Sequence, residues 1–161
     1  MKTLIVYYSL EGNTKYVAEK IAEQTGADLL CLKPEKAYPT GKVTKYLWGG
    51  RSAVMGDMPE LKPYTADLAG YGMIVFGTPV WASTFTPPLR TFIRKHKDEL
   101  KNKKIAFFAC SAGGSAEKCF ANLQEELGCG ETVAILRLTD PAQRQREQDN
   151  SEIESFCKKI M

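Results

Sequence analysis

Short apolar segments rich in β-branched and aromatic residues alternate with amphipathic segments of helical length, and this alternation restricts the fold more than any other sequence feature. Such an order is typical of a parallel sheet covered by helices on both faces. We predict five strands, at residues 3–8, 27–32, 73–78, 104–110 and 132–138. Because the first, third and fourth are almost continuously hydrophobic, we expect them in the interior of the sheet.

Four amphipathic segments between and after these strands are predicted to be helices. The first is expected to bury Val17, Ala18 and Ile21 on one face and to end at Gly26. The second is expected to run from residue 87 to 100 as one helix. Four N-cap residues are predicted, one for each helix: Asn13 or Thr14, Thr86 before Pro87-Pro88, Ser115, and Ser151 in the capping box S-x-x-E.

Residues 33–72 connect the second and third strands and are far longer than such a connection needs. Within them we predict a weak helix over residues 43–55, bounded by glycines and prolines. The chain shows no internal repeat and no interdomain linker. We therefore expect a single domain over residues 1–161.

Composition excludes several classes of protein. With 161 residues, 43% of them hydrophobic and 25% charged, the chain is expected to form a packed core. Mean hydropathy is −0.29, and no apolar run approaches the roughly 18 residues of a bilayer span, so no membrane partner is expected. The opening MKTLIVYYSL has no cleavage pattern after it and is predicted to be a buried strand rather than a signal peptide.

Charge and cysteine content indicate which binding partners and which cellular compartment to expect. A net charge of +3 from scattered Lys and Arg residues argues against nucleic acid as a partner. Five cysteines without a C-x-x-C pair, and no export signal, indicate reduced thiols and a cytoplasmic location. One histidine in the whole chain argues against a metal site.

Several reactive or charged side chains have a functional interpretation and a simpler structural one. His96 lies in a cationic run and is interpreted as a solvated surface residue. Arg90 and Arg51 could bind a phosphate or a quinone. The simpler interpretation is that both side chains are solvated at the surface. Cys110 ends a central strand, and we predict a buried small hydrophobic side chain there rather than a redox thiol.

Three loops follow the central strands at the edge where open parallel sheets bind ligands. In the first, Ser9, Asn13 and Thr14 precede a helix, so hydroxyl and backbone N–H donors could converge on a phosphate. The alternative for this loop is an ordinary capped turn. The two interpretations are equally supported by position alone.

The second and third loops carry features of a site for a planar ligand. Trp81 is either a lid on the core or a stacking surface. Gly113 and Gly114 allow the backbone to approach a flat group closely, or they form a plain turn. The conjunction of phosphate donors, an aromatic ring and a glycine-rich edge on three neighbouring loops favours a ligand site.

The segment Ser9-Leu10-Glu11-Gly12-Asn13-Thr14 is similar to the phosphate loop S/T-x-T-G-x-T of the flavodoxin family, and the order of strands and loops resembles that family over nearly the whole chain. The resemblance implies an α/β, flavodoxin-like three-layer sandwich with a five-stranded parallel sheet in order 2-1-3-4-5. It also implies noncovalent binding of FMN. Because the last strand carries no long insertion, the chain resembles the short-chain type.

The resemblance further implies which residues contact FMN. Ser9, Asn13 and Thr14 are expected at its phosphate. The full set comprises Ser9, Leu10, Glu11, Gly12, Asn13 and Thr14 in the phosphate loop, Thr78, Pro79, Val80, Trp81, Ala82 and Ser83 beside the isoalloxazine, and Ser111, Ala112, Gly113 and Gly114 at its pyrimidine edge.

The sequence departs from the family pattern in three ways. Glu11 stands where the family often has threonine, and we expect its side chain to turn outward. The loop 79–83 lacks the glycine at which flavodoxins flip a peptide, so we predict weaker stabilisation of the one-electron-reduced flavin. Flavodoxins are typically acidic, whereas this chain is slightly basic.

These features predict an FMN-dependent electron-transfer carrier in which no side chain acts as a catalytic acid or nucleophile. The alternative is an NAD(P)H-dependent FMN oxidoreductase acting on a quinone or other small acceptor. Expected partners are redox proteins or a small electron acceptor, and the chain is expected to be a monomer or a homodimer. Residues 48–51, Trp48-Gly49-Gly50-Arg51, are hypothesised to reach toward the flavin and shape access to it.

Overall fold

A five-stranded, all-parallel sheet in the order β2-β1-β3-β4-β5 forms the centre of the protein. The computed structural model describes residues 1–128 and 132–161, except for the side chains of residues 42–48. The strands are β1 Thr3–Tyr7, β2 Asp28–Cys31, β3 Met73–Pro79, β4 Lys104–Ser111 and β5 Thr132–Thr139. The predicted strands and the strand order implied by the flavodoxin resemblance are confirmed.

Helices connect the strands and cover both faces of the sheet. They are α1 Asn13–Thr25, α2 Lys42–Met55, α3 Pro87–Lys95, α4 Lys97–Leu100, α5 Glu117–Leu127, α6 Pro141–Arg144 and α7 Glu147–Ile160, with a 3₁₀ turn at Leu68–Gly70. The predicted helix over residues 43–55 is therefore confirmed. Among the described residues, no helix is long and apolar enough to cross a bilayer.

The core consists of two layers of side chains, one on each face of the sheet. Phe76 and Phe107 face α3 and α5, while Val75 and Phe108, their chain neighbours, face α1 and α7. Adjacent residues face opposite sides of the sheet because side chains alternate between its two faces along a strand. Burial on both faces explains why β1, β3 and β4 are continuously hydrophobic, as predicted for interior strands.

Three predicted helix caps are wrong. Helix α5 has Ala116 rather than Ser115 at its N-cap position, although Ser115 Oγ accepts the Glu117 N–H at 3.2 Å. Helix α1 has Gly12 at its N-cap position, with φ of 100° and no side-chain cap, so neither Asn13 nor Thr14 caps it. Helix α7 begins at Glu147, and Ser151 lies inside it with Oγ donating to the Glu147 carbonyl at 3.4 Å. Two acidic residues in the first turn, Glu147 and Asp149, favour the earlier start through the helix dipole.

The predicted single helix over residues 87–100 is two helices. His96 ends α3 and starts α4 with φ of −107° and ψ of 18°, outside the helical region. Its ring contacts one distant and one neighbouring residue, since Nε2 lies 2.9 Å from the Tyr64 hydroxyl and Nδ1 lies 2.6 Å from Glu99 Oε1. With 11% of its side chain exposed, His96 is not the solvated residue that the sequence suggested.

Candidate functional site

The loops after β1, β3 and β4 meet at the carboxyl edge of the sheet and enclose a cavity of about 60 Å³, here called the loop cavity. A liquid water molecule occupies roughly 30 Å³, so a group the size of a phosphate fits in this volume. The cavity is lined by Ser9, Leu10, Glu11, Asn13, Thr14, Pro79, Val80, Trp81, Cys110, Ser111, Ala112 and Asp140.

Two buried hydroxyls on residues that line the loop cavity have no well-formed hydrogen bond among the described residues, although one of them, on Thr14, interacts weakly with the Cys110 thiol. They are Thr14 Oγ1 and Ser111 Oγ, on residues only 1% and 5% exposed. A buried polar group without a partner is unusual and destabilising by about 1–3 kcal/mol. A ligand with acceptor oxygens would satisfy both hydroxyls, so the cavity has the donor chemistry that a phosphate or carbonyl group requires.

The other two predicted phosphate residues already have protein partners. Ser9 Oγ accepts hydrogen bonds from the backbone N–H groups of Gly12 and Lys15, both at 3.2 Å. Asn13 Oδ1 accepts from the backbone N–H of Ala142 at 3.0 Å, which ties the β1–α1 loop to α6. Ser9 therefore shapes the loop, and the Asn13 side-chain oxygen fixes it against α6.

Glu11 is exposed at the rim of the loop cavity, as expected for a carboxylate that turns outward. Asp140 was not predicted from the sequence, yet it lines the cavity and donates its backbone N–H to the Ser111 carbonyl at 3.0 Å. Its position directly after β5 is the sequence signal that could have identified it. Gly113 and Gly114 do not line this cavity.

Thr78 lies outside the loop cavity. Its side chain is fully buried, with Oγ1 donating to the Pro79 carbonyl at 2.8 Å and accepting the backbone N–H of Thr86 at 3.1 Å. These bonds close the base of the β3–α3 loop. Thr78 is thus placed to hold the loop in shape rather than to touch a ligand in the cavity.

A two-residue turn at Ala82 and Ser83 forms the tip of the β3–α3 loop. Trp81 N–H donates to the Thr84 carbonyl at 2.9 Å, and Thr84 N–H donates to the Trp81 carbonyl at 3.0 Å. Both central residues have positive φ, 48° and 64°, as in a type I′ turn. Such turns usually contain asparagine or glycine, so this one holds two residues in a conformation that is unfavourable for them.

A family model described as flavodoxin matches residues 2–134. The chain belongs to the flavodoxin family. No curated protein is significantly similar in sequence.

Solved structures agree with this family assignment. A flavoprotein in complex with FMN from Lactobacillus acidophilus NCFM is 26% identical, with a TM-score of 0.76 over 96% of this chain and 97% of that one. A candidate flavoprotein from Bacteroides eggerthii DSM 20697 is 27% identical, with a TM-score of 0.76 over 99% and 97% of the two chains. The two-electron-reduced flavodoxin of Megasphaera elsdenii, 18% identical with a TM-score of 0.60 over 97% and 98%, shares the fold.

Trp81 of this flavodoxin-family chain is packed on several sides. Its ring lies edge-on to Tyr8 at a centroid distance of 5.7 Å and to Tyr38 at 5.1 Å, and the residue is 7% exposed. This packing favours the interpretation of Trp81 as a lid. The residue nonetheless lines the loop cavity, so it contributes one apolar wall to it.

Helix α2 packs against the β3–α3 loop of this flavodoxin-family chain through its glycines. A Cβ atom on Gly49 would lie 3.0 Å from Trp81 Cε3, and one on Gly50 would lie 3.6 Å from the Ala82 Cβ. Arg51 is exposed, and the Trp48 side chain lies outside the described residues. The hypothesised segment thus contacts the loop that borders the cavity, and its influence on ligand access stays a prediction.

Replacing Ala82 with glycine is expected to stabilise the protein by about 0.5–1 kcal/mol. Glycine removes the left-handed strain of about 1–2 kcal/mol, part of which is offset by the greater freedom of the unfolded chain. Urea unfolding followed by circular dichroism measures the change. Ala69→Gly, at an exposed alanine without positive φ, is the control and is expected to be neutral or destabilising.

Cys110 is a buried, uncharged residue, as predicted. Burial raises the pKa of its thiol to about 12, and burial likewise raises the pKa of the Cys119 thiol to about 12. At neutral pH these groups remain thiols, which are poor nucleophiles. Cys110 therefore contributes shape rather than thiol chemistry to the cavity wall.

This burial predicts the pattern of thiol labelling. At pH 8, Cys110 and Cys119 are expected to react with a thiol reagent only as fast as the protein unfolds, because burial blocks access and disfavours the thiolate. Mass spectrometry of peptides from native and urea-unfolded protein identifies each site. Labelling of native Cys110 at the rate of the unfolded chain would contradict this expectation.

Proposed function

We propose that this chain binds FMN without a covalent link, with the phosphate in the loop cavity, and that it acts as a small electron-transfer flavoprotein. The observation that supports this most is a pair of buried hydroxyls at the junction of three loops, Thr14 Oγ1 and Ser111 Oγ, which have no well-formed hydrogen bond to the residues that the structure describes. The FMN complex of the Lactobacillus flavoprotein, alike over nearly the full length of both chains, supports the same cofactor.

The phosphate would be held by neutral donors. The start of α1 offers backbone N–H groups and the positive end of the helix dipole, and Thr14 adds a hydroxyl inside the cavity. Ser9 keeps this loop in shape through its bonds to the N–H groups of Gly12 and Lys15. A lysine or arginine side chain is not needed for such a site.

The isoalloxazine would extend beyond the cavity, because about 60 Å³ has no room for a whole FMN. It would lie against the loop containing Pro79, Val80 and Trp81 and against Ser111 and Ala112. When bound, FMN supplies the electron-transfer chemistry. The protein side chains bind and orient the cofactor and exclude water, and the Cys110 thiol stays protonated.

The proposed partners are redox proteins or a small electron acceptor in the cytoplasm. A carrier exchanges electrons with a partner protein, whereas an NAD(P)H-dependent oxidoreductase is reduced directly by the nicotinamide. The rate of direct reduction therefore separates the two roles.

Two measurements on the purified protein test the proposal. First, FMN titration followed by fluorescence quenching is expected to give one site per chain and a yellow complex. No binding at micromolar concentrations would refute FMN binding. Second, anaerobic addition of NADH or NADPH is expected to bleach the complex slowly or not at all, while a flavin reductase bleaches it rapidly. Rapid bleaching by the nicotinamide alone would refute the carrier and favour the oxidoreductase.

A further inference from the structure

A second, much larger cavity lies on the other side of the turn at residues 81–84. It has a volume of about 830 Å³ and lies between the C-terminal end of α2, the turn, α3 and α5, and is here called the basic cavity. Ala82 lines the basic cavity, whereas its neighbour Trp81 lines the loop cavity. One short turn thus separates the two spaces.

Positive charge predominates in the basic cavity. Its lining includes four cationic side chains, Arg90, Arg94, Lys97 and Lys118, and two carboxylates, Glu125 and Glu126. An excess of two positive charges in a concave space attracts anions, because the low-dielectric walls concentrate the field.

Arg90 is held rigidly inside this cavity. The expectation from the sequence that its side chain is solvated at the surface is therefore wrong. It is 7% exposed, and its guanidinium lies 4.6 Å from the centre of the Phe85 ring and 3.5 Å from Glu126 Oε2. A guanidinium with a fixed orientation loses little entropy when it binds a second acceptor.

Glu126 is shared between two arginines. Both Arg90 and Arg94 pair with its carboxylate. Burial acts to raise the Glu126 pKa, but the hydrogen bonds and charges of the two arginines together outweigh it, so the pKa is lowered. Two guanidiniums carry ten N–H donors, more than one carboxylate can accept. Arg90 Nη1 also donates to the Asp57 carbonyl and Arg94 Nη1 to Met58 Sδ, which still leaves more donors on the pair than these acceptors use.

The basic cavity also has an apolar wall. Ala53, Val54 and Ala82 line it opposite the charged groups of α3 and α5. A volume of this size matches clefts that hold small organic ligands, which typically combine apolar walls with a few polar anchors. The site is unlike a surface patch that merely solvates charge.

We propose that the basic cavity binds a small organic anion, with a carboxylate or phosphate head on the Arg90–Arg94 pair and an apolar body against Val54 and Ala82. Lys97 and Lys118, both exposed, complete the positive rim. The bound anion would touch the same turn whose other side borders the loop cavity. This site does not require FMN, so it can be tested whether or not the cofactor binds.

Three probes with one ring system test the choice of ligand: 2-naphthyl phosphate, 2-naphthoate and the neutral 2-naphthol. Isothermal titration of the FMN-loaded protein is expected to show an anion bound at least about tenfold more tightly than 2-naphthol, because the head group adds a charge-assisted contact. The tighter anion identifies the preferred head group. Equal affinity for all three probes would overturn the proposal.

Two substitutions are expected to change this affinity in opposite directions. Arg94→Gln removes a cation and should weaken binding of the anion by about tenfold, whereas Glu126→Gln removes the competing carboxylate and should tighten it several-fold. Lys20→Gln, at a half-buried lysine on α1 that does not line the basic cavity, is the control and should leave the affinity unchanged. If neither substitution changes the affinity, or both change it in the same direction, the proposal is wrong.

The FMN-free protein distinguishes the basic cavity from the loop cavity. Affinity for 2-naphthyl phosphate is expected to be the same with and without FMN, and Arg94→Gln should weaken it in both forms. If FMN displaces the probe and Arg94→Gln has no effect, the probe occupies the phosphate position of the loop cavity and the proposal fails. If FMN itself does not bind, the proposed function fails while this titration still reports on the basic cavity.

Discussion

Replacing Thr14 with valine is expected to weaken FMN binding by about 10- to 100-fold and, at the same time, to stabilise the FMN-free protein by about 1 kcal/mol. Among the described residues, the buried Thr14 hydroxyl has no well-formed hydrogen bond and interacts only weakly with the Cys110 thiol, so its loss relieves the free protein of a poorly satisfied group. The bound phosphate, in contrast, loses a donor. Opposite effects on binding and stability are the signature of a hydroxyl kept for a ligand.

Fluorescence titration with FMN and urea unfolding of the FMN-free protein measure the two effects. Thr25→Val is a matched control on the same helix, since Thr25 Oγ1 donates to the Ile21 carbonyl at 2.8 Å and accepts the Ala27 N–H at 3.3 Å. It should lower stability by about 1 kcal/mol and leave FMN affinity unchanged. Unaltered FMN affinity in Thr14→Val would show that this hydroxyl does not contact the cofactor.

Replacing Gly77 with alanine is expected to destabilise the protein by about 3 kcal/mol. Gly77 on β3 pairs with Phe108 on β4, and a Cβ atom on Gly77 would lie only 2.1 Å from Phe108 Cζ. Phe108 is fully buried, so its ring has no free space to enter. Because β3 and β4 lead into the loops of the candidate site, we also expect weaker FMN binding.

Gly72→Ala provides the control for this substitution, with urea unfolding as the measurement. A Cβ atom on Gly72 would also be close to a side chain, 2.5 Å from Met1 Cγ, but Met1 is 67% exposed and can move into solvent. The change should therefore be within about 0.5 kcal/mol of zero. Adding Phe108→Leu to Gly77→Ala should recover part of the loss through a favourable coupling. Equal stability of Gly77→Ala and wild type would contradict the packing described for β3 and β4.

The layout of the fold was predictable from the sequence because each strand carries a local signal. The segments that became β1, β3 and β4 are short, almost continuously apolar and rich in β-branched or aromatic residues, and burial on both faces selects that composition. The three loops of the site were also predictable, since the carboxyl edge of a parallel sheet is set by strand direction alone. Even the helix in the long connection, α2, was identified from its own residues.

Helix starts and breaks were less predictable because competing signals lie within a few residues of one another. Ser151 matches a capping box, but Glu147 and Asp149 upstream favour an earlier start of α7. His96 interrupts the predicted helix while its ring bonds Tyr64, which lies 32 residues away. A local pattern cannot include such a partner.

The residue types at the site thus follow from the sequence alone, as do the order of strands and the edge where the loops meet. Which of those residues are available to a ligand depends on contacts between distant parts of the chain. Asn13 is bonded to Ala142 and Thr78 is bonded to Thr86, whereas the buried Thr14 hydroxyl has no well-formed hydrogen bond within the described part of the chain. The basic cavity likewise exists only because folding brings Arg90 and Arg94 of α3 against Glu126 of α5. Hydrogen bonding and burial are properties of pairs of residues, and the pairs that decide this site are made by the tertiary structure.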